Sequence, residues 1–189
     1  CDAVDVLTQT GKEGEVSEEQ METMLTLAEQ TPEDINLQYF AVAYGCAVKS
    51  DRAAHYERTM EAGERFVSLY EKTEGVTEEQ KKQSQLQLIN WALDLGLYEK
   101  AEAYCQELLK TGETEEVLMI LAQCQNDLKQ SEECYETSQR ILALNPENYG
   151  ALYFCTVTQL QNREIDAAIK SDGTESGGRK AASGRGHVL

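Results

Sequence analysis

The side chains able to do acid–base or nucleophilic chemistry are few and scattered. Two histidines occur, His55 and His187. His55 stands beside Tyr56 where a helical pattern opens, and a surface or interhelix hydrogen bond is its expected use. His187 sits among small residues near the C-terminal end. The six cysteines (Cys1, Cys46, Cys105, Cys124, Cys134 and Cys155) include no Cys-x-x-Cys pair. None is grouped with histidine at zinc-ligand spacing. The serine elbow Gly-x-Ser-x-Gly, the zinc-binding His-Glu-x-x-His and the glycine-rich phosphate loops are all absent. The carboxylates fall in solvated runs such as Glu115-Glu116 and Glu132-Glu133, where nothing lifts a pKa into a catalytic range. The sequence therefore predicts no catalytic residue, no metal site, no cofactor and no enzymatic activity.

Five of the six cysteines lie inside apolar helical patterns, where a free thiol behaves as a small hydrophobe. That usage points to a reducing compartment and a cytoplasmic location rather than a disulfide scaffold. Cys1 is different. With no methionine before it, the chain reads as a fragment of a longer protein. The alternative is a mature lipoprotein carrying a lipid anchor on Cys1, membrane-bound outside the cytoplasm.

Charge narrows the partners. The chain of 189 residues has a net charge of −17. Residues 1–170 alone hold 14 basic and 32 acidic side chains, a net of −18. Such a surface repels phosphate backbones and anionic headgroups, so it disfavours nucleic acid as a partner and secondarily suits a basic protein or peptide. No run approaches the roughly 20 apolar residues of a transmembrane helix.

The elements that would carry these side chains are helices. Leu, Ala, Glu, Gln and Lys dominate, β-branched residues are sparse, and only two prolines occur. Polar breaks near 9–16, 30–32, 49–52, 72–77, 96–97, 111–114, 129–131, 145–147 and 161–164 divide the chain into nine or ten amphipathic helices. Over 98–110, Tyr98, Ala101, Cys105, Leu108 and Leu109 fall on one stripe. Ser17 with Gln20 and Thr77 with Gln80 read as capping boxes. Thr31-Pro32 and Asn145-Pro146 read as a cap followed by proline in the first turn. Thr114 and Ser131 read as further caps. The tail 171–189, rich in Gly, Ser and Ala, is predicted to be disordered.

The helices repeat. Tyr98, Ala101, Cys105 and Leu108 reappear 33 residues later as Ser131, Cys134, Ser138 and Ile141, and the first two again 34 later as Ile165 and Ala168. Leu88, Leu121 and Cys155 keep the same steps. Small residues hold one slot throughout (Ala101, Cys134, Ala168), so paired helices can approach closely. A longer echo relates Thr31-Pro-Glu-Asp-Ile-Asn-Leu-Gln-Tyr-Phe40 to Asn145-Pro-Glu-Asn-Tyr-Gly-Ala-Leu-Tyr-Phe154.

In this pattern the chain resembles the tetratricopeptide repeat family, whose unit is a 34-residue helix–turn–helix. Leu88, Gly96, Tyr98 and Ala101 match that unit's Leu, Gly, Tyr and Ala positions. Leu121, Ala122, Cys134 and Pro146 match the next, Ala122 at a glycine slot. Gln85 replaces the early tryptophan, with Trp91 elsewhere on the helix, and Cys105 and Ser138 replace the late aromatic. The resemblance implies an all-α, right-handed solenoid of about four to five antiparallel helix pairs over 1–170. Its clearest units are 82–114 and 115–148, with a partial unit at 149–170 and degenerate pairs at 1–32 and 33–76. It also implies a binding groove, and carried over residue by residue it nominates Asn90, Met119, Gln123, Asn126 and Tyr153. The groove lacks the Lys and Arg with which the family grips a terminal carboxylate. Its amides suit the backbone of an extended peptide instead. The expected function is a non-catalytic protein- or peptide-binding scaffold. Two alternatives stand beside it: a regulatory repeat segment of a larger protein, and a lipoprotein for envelope assembly or substrate capture.

Overall fold

A computed structural model describes residues 16–48, 53–160 and 163. Cys1 and the tail 171–189 lie outside the described residues. Eight helices and no strand occur among those described. They are α1 Glu18–Gln30, α2 Ile35–Ala47, α3 Ala53–Glu71, α4 Glu78–Asp94, α5 Tyr98–Leu109, α6 Glu115–Asp127, α7 Ser131–Leu144 and α8 over 149–160. Each helix packs chiefly on the next in sequence, and α1 also meets α3 and α2 meets α4. The result is an all-α solenoid. Its paired helices are α2 with α3, α4 with α5, and α6 with α7; α8 opens the next pair.

Local chemistry sets the helix ends. At α1, Ser17 Oγ accepts from the Gln20 N–H at 3.2 Å while the Ser17 N–H donates to Gln20 Oε1 at 2.9 Å. Thr77 and Gln80 repeat both bonds at 2.9 and 3.2 Å on α4. Thr114 Oγ1 caps α6 through the Val117 N–H at 3.3 Å. The two proline turns differ from expectation. Thr31 ends α1, its hydroxyl and amide both donating to the Leu27 carbonyl. Asp34 starts α2 by accepting from the Asn36 and Leu37 N–H groups. Asn145 likewise ends α7, and Asn148 Oδ1 takes the Ala151 N–H at 2.8 Å. Proline therefore sits in the turn, and the Asx three residues after Thr31 or Asn145 is the cap. Ser131 is not a cap either: it is the first residue of α7, and Gln130 before it makes no side-chain cap bond.

The turns inside two pairs share one closure. The Leu97 N–H reaches Ala92 O, and the Gln130 N–H reaches Gln125 O, each at 2.8 Å. This six-residue ring needs a left-handed residue just before its donor. Gly96 supplies it with φ 69°, and Lys129, 33 positions on, with φ 64°.

Packing follows the repeat. Ala101 and Cys134 are buried at the close approach of each pair. Cys134 Sγ donates to the Ala122 carbonyl at 3.3 Å. One apolar core runs from Met21 and Leu25 through Val42, Met60 and Ile89 to Cys105 and Leu121. A second joins Leu118, Ala122, Cys134, Ile141, Ala151 and Phe154. Each buried Leu or Ile side chain contributes about 1.5–3 kcal/mol relative to exposure. One helix departs from the expected amphipathic pattern. α2 is apolar on both sides: Leu37, Ala41 and Val42 are buried, while Tyr39 is 47% exposed.

Candidate partner-binding face

The first helices of the pairs (α2, α4, α6 and α8) superpose in register by burial. Leu88, Leu121 and Cys155, at steps of 33 and 34, are all buried. On α2 the equivalent residue is Ala41, 47 positions before Leu88 and also buried. In that register the nominated residues fall into columns. Met119 stands in line with Tyr39, Leu86 and Tyr153. Gln123 stands in line with Asn90, and Asn126 with Leu93 and Leu160. Residues 119, 123 and 126 share one face of α6 by helical spacing.

Their surroundings differ. Asn90 and Gln123 are exposed, and Gln123 Nε2 donates to Asp127 Oδ2 at 2.9 Å. Met119 and Asn126 are half-buried. The terminal methyl of Met119 reaches α8 at Gly150, lying 2.5 Å from where a β-carbon would stand. Tyr153 is 64% exposed, its ring edge-on to Phe154 at 5.8 Å. The column so defined is apolar and partly open, and exposed amides flank it. Tyr39 and Leu86 belong to it and were not nominated from the sequence. The echo of Tyr39-Phe40 in Tyr153-Phe154 is the signal that would have found Tyr39.

Beneath the column lies an aromatic cluster. Trp91 is buried, edge-on to Phe66 at 5.7 Å and to Tyr39 at 6.2 Å. Phe66 in turn stacks on Tyr70 at 5.9 Å. Trp91 thus joins α2, α3 and α4 from a position other than the family's tryptophan slot.

The second helices frame a separate cleft of about 360 Å³ between α3, α4 and α5. Val67, Leu88 and Leu108 line it together with Glu64, Glu71 and Glu107. All three carboxylates are engaged, Glu107 by accepting from Lys110 Nζ at 2.5 Å. Glu64 accepts from the Tyr104 hydroxyl, and Glu71 accepts from Gln85 Nε2 at 2.7 Å. Burial and the Glu64 carboxylate push the Tyr104 hydroxyl well above the usual tyrosine range. None of the five nominated residues lines this cleft.

The chemistry-bearing side chains serve packing. His55 is 4% exposed, buried rather than at the surface, with its ring edge-on to Tyr56 at 5.9 Å. The described cysteines are unpaired thiols. Burial pushes Cys46 and Cys124 up to about 11 and Cys105 up to about 12. Such thiols are protonated and inert at neutral pH. Among the described residues, no group of three or more His, Cys, Asp or Glu side chains is placed to hold a metal ion. Nor is any described helix long and apolar enough to cross a membrane.

The family profile of subunit 3 of the anaphase-promoting complex (cyclosome) matches residues 94–171, less than half of the chain. No curated protein matches. Among solved structures, a thermophilic tetratricopeptide-repeat protein of Thermus thermophilus is 16% identical. The match covers 76% of this chain and 73% of that one, with a TM-score of 0.46. A chain of the Sec complex of S. cerevisiae is 20% identical over 87% of this chain and 85% of that one, with a TM-score of 0.47. The described residues form an all-α solenoid of helix pairs, and residues 94–171 are similar to that family's repeats.

Proposed function

We propose that the chain is a non-catalytic scaffold that holds a protein or peptide along the face of its first helices. The observation that carries this reading is the column Tyr39, Leu86, Met119 and Tyr153 beside the exposed amides of Asn90 and Gln123. Apolar side chains of a partner would lie along the column. The amides, which can donate and accept, would hydrogen-bond its backbone. The excess of carboxylates favours a basic partner, drawn in by the field of the whole molecule. The buried, protonated thiols support a reducing, cytoplasmic setting.

A photo-crosslinking residue at Asn126, compared with one at exposed Gln106 on α5, tests the reading in the cells that make the protein. Adducts to a protein are expected at Asn126 and not at Gln106. They should fall when Asn90→Trp and Gln123→Trp block the face while the helical circular-dichroism melt is unchanged. Equal adducts at both positions, or no loss on blocking, would refute it.

A further inference from the structure

The cleft between α3, α4 and α5 joins an apolar floor to a rim of one charge sign. Val67, Leu88 and Leu108 are buried and form the floor. Glu64, Glu71 and Glu107 stand around it, and no Lys, Arg or His is among the described residues that line it. Its volume of about 360 Å³ is that of a small-molecule pocket. The counterpart one unit on, between α5, α6 and α7, is about 240 Å³. Leu121 lines it where this cleft has Leu88, but Arg140 takes the place of Glu107, 33 residues on. The unmixed negative rim is therefore particular to the first cleft and is not a general property of grooves between second helices.

We propose that this cleft binds a linear aliphatic polyammonium ion, at a site separate from the first-helix face. Glu64 and Glu71 are seven residues apart and share one face of α3, about 10 Å along its axis. Glu107 faces them from α5. Ammonium groups spaced along a flexible chain can meet such separated carboxylates, while the methylenes between them cover Val67, Leu88 and Leu108. A compact metal ion does not fit. Among the described residues, no three His, Cys, Asp or Glu side chains converge closely enough to hold one. The carboxylates are open to exchange. Lys100 lies 3.8 Å from Glu64 and Lys110 2.5 Å from Glu107, both as exposed pairs. Exposed pairs of this kind hold weakly, so a ligand ammonium can replace either lysine. A cleft with low-dielectric walls and one sign of charge also concentrates the field, and with it the local cation.

Spermidine titrated into the full chain tests this, with calorimetry for affinity and methyl NMR for location. Salt at about 0.15 M screens diffuse binding to the acidic surface. One site is expected, with shifts at the methyls of Val67, Leu88 and Leu108. Glu71→Gln and Glu107→Arg, the latter copying Arg140, should each weaken binding by roughly tenfold. Glu132→Gln, the same charge change at an exposed position on α7 outside the cleft, should leave binding unchanged. Magnesium at equal concentration should not move the floor methyls. Equal weakening by Glu132→Gln, or the same shifts with magnesium, would mean counterion binding alone and overturn the proposal. Saturation by a lysine oligopeptide but not by spermidine would place a protein's side chains in the cleft and overturn it too. Glu107 is exposed, so Glu107→Arg keeps the test decisive if Glu71→Gln disturbs the fold. An unchanged circular-dichroism melt checks each variant.

Discussion

A β-carbon at Gly45 would collide with the hydroxyl and methyl of Thr59 and stand 2.8 Å from Thr59 Cβ. Here α2 and α3 cross with no space for a side chain. Thr59 is fully buried and its hydroxyl is tied to the His55 carbonyl at 2.9 Å, so it has little freedom to yield. Gly45→Ala is therefore expected to destabilise the fold by about 2 kcal/mol, despite the better helix propensity of alanine. Urea unfolding followed by circular dichroism measures this. A stabilised variant would mean that the crossing relaxes.

Gln38 ties three helices from a fully buried position. Its Nε2 donates to the Ala28 carbonyl at 2.8 Å and to the Thr31 carbonyl at 3.1 Å, and its Oε1 accepts from Arg65 Nε at 2.9 Å. Gln38→Ala leaves buried acceptors unsatisfied. A loss of about 1–3 kcal/mol is expected in the same assay. Removing the half-buried end of the network alone, by Arg65→Ala, should cost less.

Lys129 holds a left-handed turn that glycine fills at Gly96. For an L-residue that conformation costs roughly 1–2 kcal/mol. Lys129→Gly should raise the melting temperature, whereas Gly96→Ala should lower it. Two thermal melts decide both.

The buried thiols make stability fall at high pH. Cys105 is raised from 9.0 to about 12, chiefly by desolvation. Between those values the unfolded chain has released a proton that the native state retains. The stabilisation is complete below pH 9 and is lost as pH rises toward 12. The slope is about 1.4 kcal/mol per pH unit for that thiol. Unfolding free energies at about pH 8.5 and about pH 10.5 should differ less in Cys105→Ala than in the parent chain.

Trp91, the single tryptophan, reports on the first-helix face through its contact with Tyr39. A peptide seated on the column should shift its emission. Tyr39→Ala should weaken binding and reduce that shift, and an unchanged titration would remove Tyr39 from the site.

The repeat was legible in the sequence because every pair reuses the same few contacts: a small residue at Ala101 and Cys134, a buried Leu at 88 and 121. The 33- and 34-residue steps are those contacts written linearly. The capping boxes were legible for a similar reason, since both partners lie within four residues. Other features were hidden. In Thr31-Pro-Glu-Asp34 two residue types compete to cap α2, and only the backbone geometry decides for Asp34. Tyr39 stands in the echo of Tyr153 but is not nominated for the face, because the 19-residue α3 stretches the step to α4 to 47 residues. His55 opens its helix between Ala54 and Tyr56, and its burial comes from packing between helices that no local pattern encodes.

Because each described helix leans mainly on its sequence neighbours, no substantial contact among the described residues ties α1 to the last helices. Pulled from its termini, such a chain would yield in steps, one helix pair after another, each at low force. It would also recoil quickly, since every contact to be remade lies a short way along the chain. The scaffold is in this sense a spring, and a partner spanning several pairs would stiffen it.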